Sequence, residues 1–194
     1  GLCHDERAGE RQPRQGPGRP QVYTEAERAT RIIRAAEAVF VTVGYGAATM
    51  EQIARQAGMS KKTLYALYPD KQSLLAAVSV AADDFPWDET GEAVASDPYA
   101  ELRRRLLLAA EFVLTPRQVF LTRLMIAEAG HSSHLAANFH ERVISRCRGY
   151  ITAALENCAA DGSLCPDHDL SQVAGVLLGA VLGDLHMCVL FSKS

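Results

Sequence analysis

The stretch GMSKKTLYALYPDK, residues 58–71, decides how this chain reads. A glycine turns the backbone, Ser60 is placed as a helix N-cap, and Pro69 ends whatever helix follows. The segment from about Lys61 to Tyr68 is therefore a short helix. Leu64 is the residue that has to pack inwards, on Ile53 and Phe40, which leaves Lys61, Lys62, Thr63 and Tyr65 facing out at its leading end.

Working backwards, Thr49 with Gln52 three residues on forms a capping box, opening a helix through about Ala57 that buries Ile53 and Ala54. Thr24 with Glu27 opens an earlier one, whose apolar stripe is Ile32, Ala36, Val39, Phe40 and Val43, stopped by Gly44. Two short helices joined by a tight turn at Gly58 predict a helix-turn-helix. The second helix of such a unit enters the major groove with its N-terminal residues nearest the bases. Lysines there neutralise phosphate or read guanine edges, and hydroxyls donate to phosphate oxygens. Asp70 caps a further helix through Leu74, Leu75 and Val78, with Lys71 in its first turn, where free N–H groups also favour an anion.

The charge distribution agrees. The 194-residue chain carries a net −3, yet residues 11–72 hold ten Lys/Arg against five Asp/Glu, and residues 73–194 hold nine against fifteen. A basic first third on an acidic remainder is the asymmetry of a nucleic-acid-binding head on a different kind of body. Residues 1–22 read as a disordered basic arm, because PRQGPGRPQ has no periodicity and its prolines prevent a helix. Within it Gly18-Arg19-Pro20 is similar to the centre of an AT-hook, whose arginine lies in a narrow minor groove.

Past a Pro/Trp-containing break at 84–98, Asp97-Pro98, Thr115-Pro116, Ser132 or Ser133, and Asp169 with Gln172 each open another helix, and no run alternates with period two for long. The fold class expected is all-α: a head over residues 23–72, with a three-helix helix-turn-helix domain, and a larger helical body over 73–194. The run LSQVAGVLLGAVLGDLHMCVLF (170–191) is long enough to span a bilayer, but Gln172, Asp184 and His186 make a buried helix of a soluble bundle the expectation, with no membrane partner. Five cysteines without a CxxC pair, and a polar start without an apolar leader, point to a reducing, cytoplasmic setting.

The run RIIRAAEAVFVTVGYGAATMEQIARQAGMSKKTLYALYPDKQSLLAAV (31–78) resembles the DNA-binding domain of the tetracycline-repressor (TetR) family. The matching positions are Ala36 with Phe40, Gly44-Tyr45, Thr49, Ile53-Ala54, Ala57-Gly58-Met59-Ser60, Thr63-Leu64-Tyr65, Tyr68 and Lys71; where the family often has a phosphate-binding histidine, this chain has Leu67. The resemblance implies that Thr49, Thr63, Tyr65 and Lys71 contact phosphates, and that Lys61, Lys62 and Tyr65 approach bases, on a double-stranded, pseudo-palindromic operator. It also implies a homodimer built from the last two long helices. Gly175, Gly179 and Gly183 recur every four residues and, with Leu178, Leu182 and Leu185, are the expected dimer seam. A small-molecule effector pocket is implied in the body, with Phe85, Trp87, Phe112, Phe120, Leu124, Met125, Glu128, His131 and Phe139 as its candidate walls. The stretch FLTRLMIAEAGHSSHLAANFHERV (120–143) resembles the AefR-like C-terminal domain.

The expected function is thus a ligand-responsive regulator, a repressor released from DNA by a partly hydrophobic effector. An architectural DNA binder with a solid body is one rival; a small helical enzyme is the other. The enzyme reading has little to stand on. Asp184 and His186 lie two apart on a helix and face different ways, and neither Cys158, Cys165 and His168 nor His131, His134 and His140 has a compact ligand spacing. No catalytic residue, metal or cofactor is expected.

Overall fold

A computed structural model of the chain describes residues 23–85, 97–165 and 167–192; the arm with Arg19, and Trp87, lie outside them. Among the described residues there is no strand. The helices are α1 (Glu25–Val43), α2 (Met50–Ala57), α3 (Lys61–Leu67), α4 (Lys71–Ala81), α5 (Pro98–Val113), α6 (Pro116–Glu128), α7 (Ser133–His140), α8 (Arg146–Ala160) and α9 (Leu170–Phe191). A π-helical turn, Glu141–Ser145, joins α7 to α8, so residues 133–160 form one continuous helical run with an extra residue wound into it. The all-α architecture is the one the sequence calls for.

Local chemistry sets the helix ends of the head. Thr24 Oγ1 accepts from the Glu27 amide while the Glu27 carboxylate accepts from the Thr24 amide, and Thr49 with Gln52 repeats the exchange. Asp70 with Ser73 does so for α4. Each reciprocal pair satisfies two amides that the helix itself leaves orphaned. Two turns need positive φ and receive glycine: Gly44 (φ 80°) after α1 and Gly58 (φ 67°) between α2 and α3. The head closes around Ile32, Phe40, Ile53, Leu64, Leu74, Leu75 and Val78, all wholly excluded from solvent. Each such side chain contributes roughly 1.5–3 kcal/mol by leaving water. The sequence boundary between residues 72 and 73 falls in the first turn of α4, a helix that packs along α1 and reaches α7 at its far side.

In the body, α5, α8 and α9 pack on one another, with α6 and α7 laid over them. Phe85, expected on a ligand wall, instead plugs this core: its ring meets Phe112 edge-on at 5.0 Å and Tyr150 at 5.4 Å. Beneath it Glu101 and Arg105 are almost fully buried; Arg105 Nε donates to Glu101 at 2.7 Å and Arg105 Nη1 to the Tyr150 carbonyl at 3.0 Å.

The last helix departs from expectation. Only 17% of the most apolar window of α9 is buried, so it is not a core helix of this subunit. Ala174, Leu178 and Leu182 turn inwards, whereas Val176, Met187 and Phe191 are open to solvent. Arg123 of α6 ties down its end by donating to the carbonyls of Val189, Leu190 and Ser192.

Two polar joints, at Glu37 and Gln72, cross from residues 23–72 to the body, and two more tie the end of α4 to it. Arg117 on α6 forks onto the Glu37 carboxylate of α1 (2.6 and 2.8 Å) and also reaches Asp84 (3.0 Å). Gln72 donates to Ser132, Arg146 pairs with Asp83, and Gln118 Nε2 donates to the Ala82 carbonyl at the end of α4 (2.7 Å).

Candidate nucleic-acid interface

The turn at Gly58 fixes how α3 is presented. The Gly58 amide donates to Arg55 O and the Met59 amide to Ala54 O, which ends α2 and sends the chain into the Ser60 cap. Ser60 Oγ accepts from the Thr63 amide at 3.1 Å and shares a 2.9 Å hydrogen bond with the Thr63 hydroxyl. Leu64 then drives one face of a seven-residue helix into the core, and the opposite face carries Lys61, Lys62 and Tyr65 into solvent, Tyr65 at 49% exposure. This end of α3 therefore presents a half-exposed aromatic beside two exposed lysines.

The predicted contact residues take up different stations. Lys61 Nζ pairs with Glu51 on α2 at 2.7 Å, and that hydrogen bond from Lys61 holds the Glu51 carboxyl below its ordinary range. Both side chains are exposed, so the pair is weak and readily exchanged for a phosphate. Lys62 and Thr63 border a shallow groove with Glu25, Arg28, Ala66 and Leu67. Thr49 spends its hydroxyl on Gln52 Oε1 (3.0 Å) but stays exposed at the start of α2. Tyr68 is half-buried against the core, and burial raises its phenol.

Lys71 is placed otherwise than as a phosphate ligand. Its ammonium donates to the carbonyls of Tyr45 (2.6 Å), Ala48 (3.0 Å) and Gly46 (3.2 Å), and stands 4.6 Å from the Tyr45 ring centroid. An ammonium has three N–H donors, and all three go to the loop between α1 and α2. Arg28, which the motif did not single out, lines the groove beside Lys62, and its Nε is buried without a partner. Its signal in the sequence was positional only: a basic residue one turn into α1.

In the body, the predicted ligand walls separate. Met125 and Phe139 do line a cavity of about 320 Å³, together with Val113, Gln118, Val143 and His186. Phe85 and Phe112 fill the core, Leu124 is buried outside that lining, Phe120 and Glu128 are half-buried outside it, and His131 is exposed. The body thus has a cavity, whereas the architectural reading required a solid one.

On α9 the predicted seam is split by the helical period. Leu178 and Leu182 are buried inside their own chain, and the Cα of Gly175 faces Arg148 of α8, where an added Cβ would meet Nε at 3.4 Å. Gly179 and Gly183 stand open, as does Leu185. The uncovered stripe runs instead through Val176, Ala180, Gly183, Met187 and Phe191, spaced three and four apart along one face. Among the described residues no cluster of His, Cys, Asp and Glu is arranged to hold a metal ion.

Comparison with known proteins bears on this geometry. Residues 32–78 match the model for bacterial regulatory proteins of the tetR family, and residues 100–194 match the model for the C-terminal domain of AefR-like transcriptional repressors. The HTH-type transcriptional regulator SrpR of Pseudomonas putida is 27% identical over 169 residues, covering 82% of this chain and 74% of SrpR. The HTH-type transcriptional activator FasR of Mycolicibacterium smegmatis is 42% identical over 73 residues, 38% of this chain but only 33% of FasR. Among solved structures, a protein from Mesorhizobium loti assigned to the TetR family superposes with a TM-score of 0.75 at 26% identity, over 89% of this chain and 88% of that one. The flavonoid-responsive regulator FrrA superposes at 0.69, also at 26% identity, over 87% and 88%.

Proposed function

The chain belongs to the TetR family of DNA-binding transcriptional regulators, which are not enzymes, and on that premise we propose that it is a cytoplasmic, homodimeric repressor released from its operator by a small, largely apolar effector. The observation that carries the DNA reading is the presentation of α3: Leu64 wholly buried, with Lys61, Lys62 and Tyr65 exposed. Lys62, Tyr65 and the loosely paired Lys61 are the base-approaching set; Thr49, Thr63 and Arg28 are the phosphate-facing set around them. Repression is supported by the AefR-like repressor match, and effector binding by the cavity in the body.

The apolar stripe of α9 supports the dimer. An open row of Val176, Ala180, Met187 and Phe191 is costly in water, and its small members let a second copy of the helix come close. A two-fold axis there would set two copies of α3 about 34–36 Å apart, one duplex turn, on a pseudo-palindrome. Although α9 is long and apolar enough to cross a membrane, its ties to α6 through Arg123 and to α8 through its buried face support a place in the helical bundle.

The test is selection of operators from random duplex DNA, followed by titration of the selected site across salt concentrations. The expected result is a pseudo-palindromic site whose log affinity falls linearly with log salt. Lys62→Ala should weaken binding and relax preference at one position of each half-site. A chain that selects no sequence and ignores duplexes at low salt is not the regulator described here.

A further inference from the structure

The cavity between α6, the α7–α8 run and α9 has a mostly apolar wall; its polar members are Gln118, Thr122, His140 and His186, and two of these share one property. Gln118 is 2% exposed, and its Oε1 has no hydrogen-bond partner; His186 Nε2 is likewise shut from solvent and unpartnered. A buried polar atom left without a partner costs about 1–3 kcal/mol, and both of these belong to side chains that line the cavity. The orientation of the Gln118 amide is not arbitrary, because its Nε2 is committed to the Ala82 carbonyl, which fixes Oε1 as the free end.

The wall also says what the ligand is not. No Asp, Glu, Lys or Arg lines the cavity, so an ion there would find no permanent counter-charge, and burying an unpaired ion is costly. Burial also lowers the His186 imidazole below its ordinary range, which keeps it neutral and an acceptor or donor rather than a cation. At about 320 Å³ the space sits at the small end of ligand pockets.

We propose that this cavity takes a neutral, compact, apolar molecule bearing a single hydroxyl, that the hydroxyl is received by Gln118 and His186, and that Gln118 relays occupancy to the head. The proposal rests on the effector reading above and adds the ligand's chemistry and the relay. Gln118 Oε1 is covered, so a ligand meets it only when the side chain turns. Turning draws Nε2 away from the Ala82 carbonyl. Ala82 is the C-cap of α4, whose first residue, Lys71, clamps the α1–α2 loop of the head. One amide therefore serves either the end of α4 or the ligand, and a ligand that prefers the released state shifts the head with it.

The probes are thymol with p-cymene, and menthol with p-menthane; each pair shares a carbon frame and differs by the hydroxyl. Full-length protein is titrated calorimetrically with each, and its affinity for the selected operator is measured with and without them. The alcohols should bind about 10-fold or more tightly than their hydrocarbons, the worth of one buried hydrogen bond. Thymol should weaken operator binding about 5-fold or more. Gln118→Met, close in size but unable to hydrogen-bond, should erase the preference while still binding p-cymene, and should bind operator weakly even without ligand. His186→Phe should reduce the preference and leave ligand-free operator affinity unchanged. Alcohol and hydrocarbon binding equally, or neither alcohol binding below about 1 mM, overturns the ligand class. A Gln118→Met protein that holds operator as wild type and still releases it with thymol overturns the relay. In each of these cases intact operator binding leaves the regulator reading standing, whereas loss of all duplex binding by the wild type removes that reading first.

Discussion

Replacing Lys71 by methionine keeps the length of the side chain and deletes its three donors, so it separates two roles that one residue type can play. If Lys71 clamps the α1–α2 loop, the loss falls on stability. Two of its hydrogen bonds, to Tyr45 O and Ala48 O, are partly buried, and the third, to Gly46 O, is exposed. Hydrogen bonds to a charged group contribute about 1.5–3 kcal/mol each when buried. Counting only the partly buried two, and allowing water to reach the abandoned carbonyls, the loss is about 2 kcal/mol. For a chain of this size that lowers Tm by about 4–8 °C. If Lys71 instead neutralised a phosphate, Tm would hardly move, but the slope of log affinity against log salt would flatten by about 0.9. The assays are a thermal melt without DNA and operator titrations at four or five salt concentrations, well below the melting range. The clamp predicts a lower Tm and an unchanged slope. An unchanged Tm with a slope shallower by about one would refute it and return Lys71 to the phosphate backbone.

Three other outcomes are expected. Glu51→Gln frees Lys61 from its carboxylate partner and removes a like charge from the phosphate side of α3, so it should tighten binding to any duplex several-fold at low salt, a gain that fades as the Debye length falls to about 3 Å near 1 M. Glu101→Ala should cost about 3–5 kcal/mol in chemical denaturation, because it leaves the Arg105 guanidinium buried without its carboxylate. The hydrogen bond from Arg104, then that from Arg105, outweigh burial and hold the Glu101 carboxyl down at about 2 from an ordinary 4.5; the depressed value means that its contribution to stability, of order 2–3 kcal/mol, is complete above pH 4.5 and is lost as pH falls from there towards 2. Ala180→Glu, on the open stripe of α9, should leave the monomer's fold intact and yield monomers in sedimentation at micromolar concentration, with loss of cooperative operator binding.

What the chain discloses before folding is what is written locally. Capping boxes join residues three apart, a glycine announces its own positive φ, and Leu64 has no option but to face Ile53 once Ser60 starts the helix. All of these survive translation into three dimensions, as do the all-α class and the exposure of Lys61, Lys62 and Tyr65. Lys71 shows the limit. Its partners lie 23 to 26 residues earlier, and nothing in its own neighbourhood distinguishes a lysine that reaches out from one that folds back. The seam on α9 fails for another reason. That helix is apolar on nearly every side, so periodicity identifies several faces and cannot say which belongs to the subunit; only its packing against α5, α6 and α8 puts Leu178 and Leu182 inside.

The cavity was least legible, and the cause is general. Choosing large aromatics as candidate walls selects the residues best able to fill space, and Phe85 does so, closing against Phe112 and Tyr150. A void forms where neighbouring side chains fall short of one another, and its chemistry is set by whichever polar groups are stranded at its edge. Gln118 reads in sequence as an unremarkable polar residue near a helix start, and its amide N–H groups could equally have met water. What gives it a role is the coincidence of three separate elements: the Thr115 cap that starts α6, the end of α4 that offers the Ala82 carbonyl, and the approach of α9 that seals the far wall with His186. On the reading proposed above, response to a ligand would be carried by residues whose partners are distant in the chain, and DNA recognition by residues whose partners are near. That division explains why a fifty-residue motif can announce a DNA-binding head while remaining silent about what the body is built to detect.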